Sequence, residues 1–390
     1  MLEKNATAFQ AALLDWYRRN ARRLPWRLTS DPYKIWVSEI MLQQTQAAAV
    51  IPYYERWLKR FPAVEPLAKA PLSEVLKLWA GLGYYRRARM LHKAAGIVFK
   101  NYAGQIPKSA GELLKLPGIG RYTAGAVASI AFGERAPVLD GNVIRILTRL
   151  EAVGSDIGEG KTIQKLWKLA GSLVPAEEPG DFNQAMMELG ATVCLPENPK
   201  CDACPVSDFC RARALRRPGD FPVKGKKETT EALRTAALIY RKSGKVMIRR
   251  QPEEARWGGL WMFPFSETPG KLAGAAGVSL KDLKRRMTIR HGFTRYRVKL
   301  EVYEHEGARG MGQGAGISKN RKKAPKEKLS GRPEKRKGGL PLASFPLPLT
   351  PYPLPLKIRW VKIKDLPKYA FPSPHQKIAA ELLKENDHAL

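Results

Sequence analysis

All four cysteines of this 390-residue chain lie in one short stretch, which limits what that stretch can fold around. They are Cys194, Cys201, Cys204 and Cys210, with the spacing C-x6-C-x2-C-x5-C, and the rest of the sequence has none. Two local disulfides are unusual inside a cell, so the spacing favours a metal site over crosslinks. Four thiolates suit either zinc or an iron–sulfur cluster, and the residues alone leave both open.

A second constraint is Leu116-Pro117-Gly118-Ile119-Gly120, a tight turn between two helical patterns. Pro117 fixes one φ angle, while Gly118 and Gly120 allow conformations and close approaches that a Cβ would prevent. Backbone N–H groups of such a turn, and of the helix after it, can bind a phosphate oxygen without reading a base. For a lone Pro-Gly-x-Gly, an ordinary helix–turn–helix in a core is the alternative.

The helix predicted from Tyr33 to Leu42 carries one acid, Glu39, among apolar neighbours. Asp31-Pro32 is a typical start for it, because a capping side chain is followed by proline at the first helical position. A carboxyl group in apolar surroundings has a raised pKa and can stay protonated as a general acid. A solvated surface glutamate is the usual alternative. A second carboxylate, Asp140, lies on a loop that follows an apolar segment.

The formal net charge of +32 predicts a polyanionic partner, most simply nucleic acid. A ribosomal or chromatin protein would carry the same charge, so it indicates a class of partner and not an activity. The N-terminus lacks the pattern of a signal peptide, and no apolar run is long enough to span a bilayer. We therefore expect an intracellular, cytoplasmic protein that associates with the nucleoid and not with a membrane.

The length predicts more than one domain, and the composition changes near Leu215. Residues 1–214 are predicted to form a helical catalytic region, with the hairpin at 113–132 and the cysteine loop at 194–210. A charged linker is predicted at 215–232. Residues 233–390 form the second domain, in which the Gly-, Lys/Arg- and then Pro-rich stretch 307–356 is expected to be a disordered insertion.

The second domain alternates strand patterns with helical ones, which predicts an α+β fold. The predicted strands are Arg234 to Tyr240, Lys245 to Arg250, Tyr296 to Val302 and Arg359 to Ile363, and a last helix runs from Ser373 to near Lys384.

Taken together, the motifs resemble those of the MutY family of adenine DNA glycosylases, in the helix-hairpin-helix superfamily of endonuclease III. The resemblance covers most of the chain outside 307–356. It is carried by the four cysteines and by Ser38 to Gln46, Leu116 to Gly125, Val138 to Val143, Asn183 to Gly190 and Trp257 to Trp261.

The resemblance implies a monofunctional DNA glycosylase of base excision repair. Its substrate would be double-stranded DNA with adenine opposite 8-oxoguanine or guanine, and its reaction hydrolysis of the N-glycosidic bond. A monomer is expected. The implied fold is a mainly α helix-hairpin-helix core with an iron–sulfur loop that holds a [4Fe–4S] cluster on the four cysteines. A C-terminal α+β Nudix-like domain would recognise the lesion.

The resemblance also implies residue roles. Glu39 would protonate adenine and Asp140 would stabilise or attack the sugar cation, the two-carboxylate division of glycoside hydrolysis. Tyr122 and Asn142 would hold them in place. Gly118 and Gly120 would bind DNA phosphate. The implied substrate contacts are Trp26, Arg27 and Gln184 on the flipped adenine, Gln44 and Tyr84 in the strand, and Phe293 and Thr294 on 8-oxoguanine. Arg295 stands where the family often has histidine.

Other activities stay open at this point. Bifunctional glycosylase/lyases of the superfamily carry a lysine where this chain has Tyr122, which cannot form a Schiff base. A thymine-mismatch glycosylase is a further alternative, against which Glu39 and the C-terminal domain argue. A non-catalytic DNA-binding protein would use only the hairpin and the charge. A working Nudix hydrolase needs a Glu-rich metal helix, and Lys281 to Arg286 lacks those acids, so this domain is predicted to bind without hydrolysing.

Overall fold

The computed structural model describes residues 2–225, 230–253, 255, 257–293, 296–306 and 357–387. It consists of two compact units, Met1–Thr229 and Thr230–Leu390. The predicted insertion at 307–356 lies outside the described residues, as do Thr294 and Arg295.

The first unit is helical. Its helices are α1 (Ala6–Asn20), α2 (Pro32–Leu42), α3 (Ala47–Arg60), α4 (Val64–Lys69), α5 (Leu72–Trp79), α6 (Arg86–Asn101), α7 (Ala110–Leu113), α8 (Arg121–Phe132), α9 (Gly141–Leu150), α10 (Gly160–Leu173), α11 (Pro179–Thr192) and α12 (Arg211–Ala214). Short 3-10 helices occur at Leu2–Asn5, Pro25–Arg27, Cys201–Ala203, Ser207–Phe209 and Pro218–Asp220.

The predicted start of α2 is confirmed. Asp31 Oδ1 accepts hydrogen bonds from the backbone N–H groups of Tyr33 (2.9 Å) and Lys34 (3.3 Å), which satisfies donors that an uncapped helix would leave unpaired. Most of α2 is buried, including Glu39, because it packs against both α3 and α8.

Small residues let α8 lie close to the segment that leads to Asp140. A Cβ on Gly125 would lie 2.2 Å from the carbonyl oxygen of Pro137, a distance that no side chain could tolerate. From α11, the buried Asn183 side chain donates to Ser129 Oγ and to the carbonyl oxygen of Ala136, both at 2.8 Å. These contacts fix α8, α11 and the start of α9 against one another.

The helical unit extends further than the predicted domain boundary. The linker was predicted to begin at residue 215, but the segment up to Val223 is bonded to the helices. Arg149 Nε donates to the carbonyl oxygen of Pro218 at 2.8 Å, and the Ile157 N–H donates to that of Val223 at 3.1 Å. Composition indicated a linker because Pro, Gly and charged residues are common there, yet backbone carbonyls supply the contacts.

Within its described residues, the second unit is a mixed sheet with two α-helices. Its elements are β1 (Glu231–Lys242), β2 (Lys245–Arg250), β3 (Trp261–Met262), β4 (Phe265–Ser266), α13 (Pro269–Ala276), β5 (Lys284–Phe293), β6 (Tyr296–Glu306), β7 (Ile358–Lys362) and α14 (Ser373–Asp387). The strand order is β3-β2-β1-β6-β5, with β4 paired to β1 and β7 to β2. β1 and β6 are parallel, from Glu231 opposite Tyr296 to Arg241 opposite Glu306.

The predicted strands and the C-terminal helix of this unit are present. The stretch Lys281 to Arg286 is not a helix, however: it ends a 3-10 turn and begins β5. The helix of this region is α13, whose sequence PGKLAGAA contains no glutamate. Residues 281–286 contain one acid, Asp282, and no glutamate, so neither element carries a Glu-rich metal-binding set.

Candidate active site

A cavity of about 910 Å³ lies between α2, α8, α9 and α11 of the helical unit. This volume is within the range of small-molecule binding sites. The lining includes most residues that the sequence predicted for the site, namely Trp26, Arg27, Glu39, Gln44, Gly120, Tyr122, Asp140, Asn142 and Gln184.

Glu39 lies in this cavity with only 4% of its surface exposed. The Tyr122 hydroxyl donates to Glu39 Oε2 at 2.8 Å. Burial raises the pKa of Glu39 to about 7; the charge of Asp140 acts in the same direction, while the Tyr122 hydrogen bond and the charge of Arg27 oppose it. Burial and the two nearby carboxylates keep the pKa of Tyr122 well above its ordinary value, so its hydroxyl stays a donor.

Asp140 has a different environment at the N-terminus of α9. Its Oδ1 accepts from the Val143 N–H at 2.8 Å, and its Oδ2 accepts from Asn142 Nδ2 at 3.0 Å. Burial raises the pKa of Asp140, and these hydrogen bonds oppose that rise because they favour the ionised form. Glu39 and Asp140 are therefore held differently, Glu39 by one hydroxyl and Asp140 by a helix terminus.

Asn142 is held in turn by Arg145, a residue that the sequence did not single out. Arg145 Nη2 donates to Asn142 Oδ1 at 2.9 Å and to the carbonyl oxygen of Gly190 at 2.8 Å. Gly190 belongs to α11 and touches Asn142 directly, because a Cβ at Gly190 would lie 2.5 Å from Asn142 Cβ. The start of α9 is thus packed against the backbone of α11.

The sequence also missed an ion-pair network in the cavity wall. Glu188 on α11 is fully buried and accepts from Arg22 Nε at 2.7 Å and from Arg27 Nη2 at 2.9 Å. Burial alone would raise the pKa of Glu188, but the hydrogen bonds of the two arginines outweigh it and lower the pKa to about 2. Glu188, like Glu39, is an acid among apolar neighbours on a helix, so the same local pattern indicates that it is buried.

Gln44 and Tyr84 share an unusual backbone conformation, with φ angles of 55° and 48°. Such left-handed conformations cost energy for residues other than glycine and are common at functional sites. Gln44 lines the cavity, whereas Tyr84 is 49% exposed outside its lining. Arg87 connects the two loops: its Nη2 donates to Thr45 Oγ1 at 3.2 Å, and its guanidinium lies 5.4 Å from the Tyr84 ring centroid.

The hairpin glycines have separate functions in the fold. Gly118 has a φ of 83°, and a Cβ there would lie 2.4 Å from Met90 Cβ, so glycine is needed for both conformation and packing. Gly120 is the N-cap of α8, has open space where a Cβ would be, and lines the cavity. No side chain of the described residues caps this helix, which leaves its first N–H groups available.

The four cysteines line a second, smaller cavity together with Arg149, Arg213 and parts of the surrounding loop. Burial raises the pKa of the Cys204 thiol to about 12 and also raises the pKa of Cys201 and Cys210. Converging thiols of this kind become thiolates only when a cation compensates them. Within the described residues, however, no group of three or more His, Cys, Asp or Glu side chains is arranged to hold a single metal ion.

The predicted lesion contacts belong to the second unit. Phe293 ends β5 and pairs with Tyr296 of β6, while Thr294 lies outside the described residues. None of the helices in the described part of the chain is both long and apolar enough to cross a membrane.

The fold and the site define a class, the helix-hairpin-helix proteins of base excision repair. Residues 37–172 match the family model described as HhH-GPD superfamily base excision DNA repair protein, and residues 235–381 match the NUDIX domain. Among solved structures, a thermostable thymine-DNA glycosylase is similar, with a TM-score of 0.50 and 33% identity over 54% of this chain and 98% of that one.

Comparison with sequence relatives identifies one family within this class of protein. The adenine DNA glycosylase of Buchnera aphidicola subsp. Acyrthosiphon pisum is 38% identical over 257 residues, which are 66% of this chain and 73% of the relative. That of Homo sapiens is 52% identical over 216 residues, which are 53% of this chain. The chain belongs to the adenine DNA glycosylase family, although it spans only 40% of the human relative's length. The predicted fold class is confirmed for both units, and the iron–sulfur part of the loop stays a prediction.

Proposed function

We propose that this protein is a monofunctional adenine DNA glycosylase, which hydrolyses the N-glycosidic bond of adenine opposite 8-oxoguanine or guanine. The observation that carries the proposal is the pairing of a buried, protonatable Glu39 with Asp140 in one cavity of base-binding size. The names of the relatives support adenine as the base.

Breaking the bond requires a good leaving group and a stabilised sugar cation. With its pKa raised to about 7, Glu39 can hold a proton near neutral pH and donate it to a ring nitrogen of adenine. Asp140, whose hydrogen bonds favour the ionised form, would then stabilise the oxocarbenium-like sugar or attack it transiently. Tyr122 and Asn142 orient these two carboxyl groups.

Adenine must leave the duplex to reach these groups. We propose that it enters the cavity beside Trp26, Arg27 and Gln184, while Gln44 and Tyr84 occupy the strand that it leaves. The strained backbones of Gln44 and Tyr84 suit residues that are exposed for insertion. The uncapped N-terminus of α8 with Gly118 and Gly120 would bind a phosphate.

Strand cleavage is not expected to accompany base removal. A lyase needs an amine that forms a Schiff base with the sugar. The described lining of the cavity includes no lysine, and a phenol, Tyr122, lies beside Glu39. The abasic site should therefore remain intact.

For the cysteine loop we propose a [4Fe–4S] cluster. All four cysteines surround one cavity, and their C-x6-C-x2-C-x5-C spacing resembles that of the cluster loop in the endonuclease III and MutY families. Cys194, Cys201, Cys204 and Cys210 would hold it. When bound, the cluster supplies the positive charge that the thiolates need and ties the loop together.

We further propose that the second unit recognises 8-oxoguanine through Phe293 and Thr294, between β5 and β6, and that it does not hydrolyse nucleotides. The positive charge supports duplex DNA as the partner. A monomer in the cytoplasm, associated with the nucleoid, is the simplest form of such an enzyme.

Replacing Glu39 by Gln tests the catalytic proposal, because the amide keeps the shape and loses the acid. Single-turnover excision of adenine opposite 8-oxoguanine should fall by about 10²–10⁴-fold, with binding to the duplex unchanged. Glu55→Gln, at an exposed position on α3, is the matched control and should behave as the native protein does. Excision within a few-fold of the native rate would remove Glu39 from the mechanism, and activity on thymine instead of adenine would favour the thymine-mismatch alternative.

A further inference from the structure

Arg149, near the end of α9, is 2% exposed and donates to five acceptors. They are Cys194 Sγ (3.2 Å) and the carbonyl oxygens of Leu195 (2.7 Å), Pro196 (3.0 Å), Pro218 (2.8 Å) and Phe221 (3.2 Å). Its own carbonyl oxygen lies 3.6 Å from Cys210 Sγ. The Arg149 side chain therefore contacts the first cysteine of the loop, and the Arg149 backbone contacts the last.

These acceptors belong to two segments that are separate in sequence. One is the start of the cysteine loop, Cys194 to Pro196, and the other is Pro218 to Phe221, close to the end of the helical unit. Apart from the short 3-10 helix Pro218–Asp220, neither segment is a regular helix or strand that could hold itself by its own backbone hydrogen bonds. Arg149 supplies the missing donors for both.

The charge of the buried Arg149 guanidinium also needs a partner. All five acceptors are carbonyl oxygens or the cysteine sulfur, so no carboxylate balances the buried guanidinium among them. An uncompensated buried cation is costly, whereas a guanidinium beside a thiolate is stabilised. The arrangement places the guanidinium against the sulfur of Cys194, the first of the four clustered cysteines.

We propose that Arg149 is a positioning residue that fixes Cys194 for the bound cluster and, with the same guanidinium, holds residues 218–221 against the helical unit. The cluster loop and the last packed segment of this unit are thereby coupled. The first part rests on the proposed cluster, and the second on the hydrogen bonds alone. N–H···S bonds of this kind orient a ligand and reduce its electron density, which slows its oxidation and release.

Three variants of the full-length protein test the proposal. Arg149→Gln removes the charge and most donors, and Arg149→Lys keeps the charge without the planar fork that reaches both segments. Arg213→Gln is the matched control, because Arg213 lines the same cavity, and its guanidinium pairs with Asp208 at 3.3 Å. It removes the same charge without touching Cys194 or residues 218–221.

The first measurement is iron and acid-labile sulfide in anaerobically purified protein, followed by the loss of visible absorbance in air. The absorbance should be lost about 10–100-fold faster in Arg149→Gln than in the native protein, at an intermediate rate in Arg149→Lys and at the native rate in Arg213→Gln. The second is limited trypsin digestion, with cleavage after the exposed Arg216 identified by mass. Cleavage there should accelerate in both Arg149 variants, and in native protein from which the metal has been stripped.

Native rates of metal loss and of cleavage in Arg149→Lys would overturn the proposal, even if Arg149→Gln fails to fold. Faster metal loss with unchanged cleavage would overturn the coupling. Native protein that holds zinc and no iron would instead refute the proposed cluster. Release of that zinc to a chelator would then be compared in the same variants, and equal rates would refute the positioning role as well.

Discussion

At the scale of single residues, the site depends on two carboxyl groups of similar chemistry in different surroundings. Glu39 lies on a buried helix and meets a tyrosine hydroxyl, so burial dominates and raises its pKa to about 7. Asp140 begins a helix; burial raises its pKa as well, but the Val143 N–H and the Asn142 amide oppose that rise because they favour the carboxylate. This difference in environment is what allows one group to act as an acid and the other as an anion.

The Tyr122–Glu39 hydrogen bond should affect the pH dependence of excision through the pKa of Glu39. The acid form of Glu39 is lost as the pH rises through its pKa, so the native rate should decline above about pH 7. The hydrogen bond stabilises the charged form and lowers this pKa. Tyr122→Phe should therefore raise the pKa and move the declining limb to higher pH, in addition to any loss of rate. Single-turnover rates between pH 5 and 9 would measure this.

Tyr102→Phe is the control for that experiment, because Tyr102 donates to Glu112 at 3.2 Å on the protein surface. Its profile should match the native one. If the high-pH decline of the excision rate stays in place or moves to lower pH in Tyr122→Phe, Glu39 is not the group whose titration controls the rate.

The sequence predicted Glu39, Asp140, Tyr122 and Asn142 because each lies in a short motif with its own local signal. It missed the partners of Glu188, since Arg22 and Arg27 lie more than 160 residues away and no local pattern links them. Arg149 was missed for the same reason: its acceptors are backbone carbonyls, which every residue carries.

At the scale of elements, the position of Asp140 and Asn142 depends on how closely α9 and α11 approach. Gly190 allows this approach, and a Cβ there would meet Asn142 at 2.5 Å, with backbone also within 3.2 Å. Because the neighbour is the start of a packed helix rather than a flexible side chain, it cannot move aside without moving the catalytic loop.

Gly190→Ala should therefore lower the excision rate by about a hundred-fold, since small misplacements of catalytic groups have effects of that size. Binding to undamaged duplex should change little. Gly171→Ala is the matched control on α10, where the nearest atom to an added Cβ is Pro137 Cγ at 3.8 Å. It should keep activity and gain slightly in thermal stability because alanine favours helix. Equal rates in the two variants would contradict the role given to Gly190.

Elements with local signals were predicted well and long-range pairings were not. The Asp31 cap and the hairpin glycines act within a few residues, so the sequence shows them directly. The parallel pairing of β1 with β6 joins Glu231 to Tyr296, across a helix and several strands, and leaves no local pattern. From Lys284 onward, pairing with the distant strand β6 determines the conformation, which the local sequence does not show.

At the scale of the whole molecule, the two compact units divide the proposed work. The catalytic cavity, the hairpin and the cysteine loop all belong to Met1–Thr229. The second unit has its own core, built from β-strands and α14. A protein that ends at Thr229 should therefore fold and still excise adenine opposite guanine.

The truncated protein should lose the preference for adenine opposite 8-oxoguanine over adenine opposite guanine. One base-reading contact is worth about 1–3 kcal/mol, or roughly ten- to a hundred-fold in discrimination. The control is a full-length protein without Lys319 to Lys337, a basic stretch of the sequence. The positive charge that this deletion removes attracts every duplex alike. The deletion should therefore weaken binding to all duplexes, flatten the salt dependence of binding and leave the ratio of the two excision rates unchanged. If the protein ending at Thr229 keeps the full preference, the helical unit recognises the lesion, and Phe293 and Thr294 have another role.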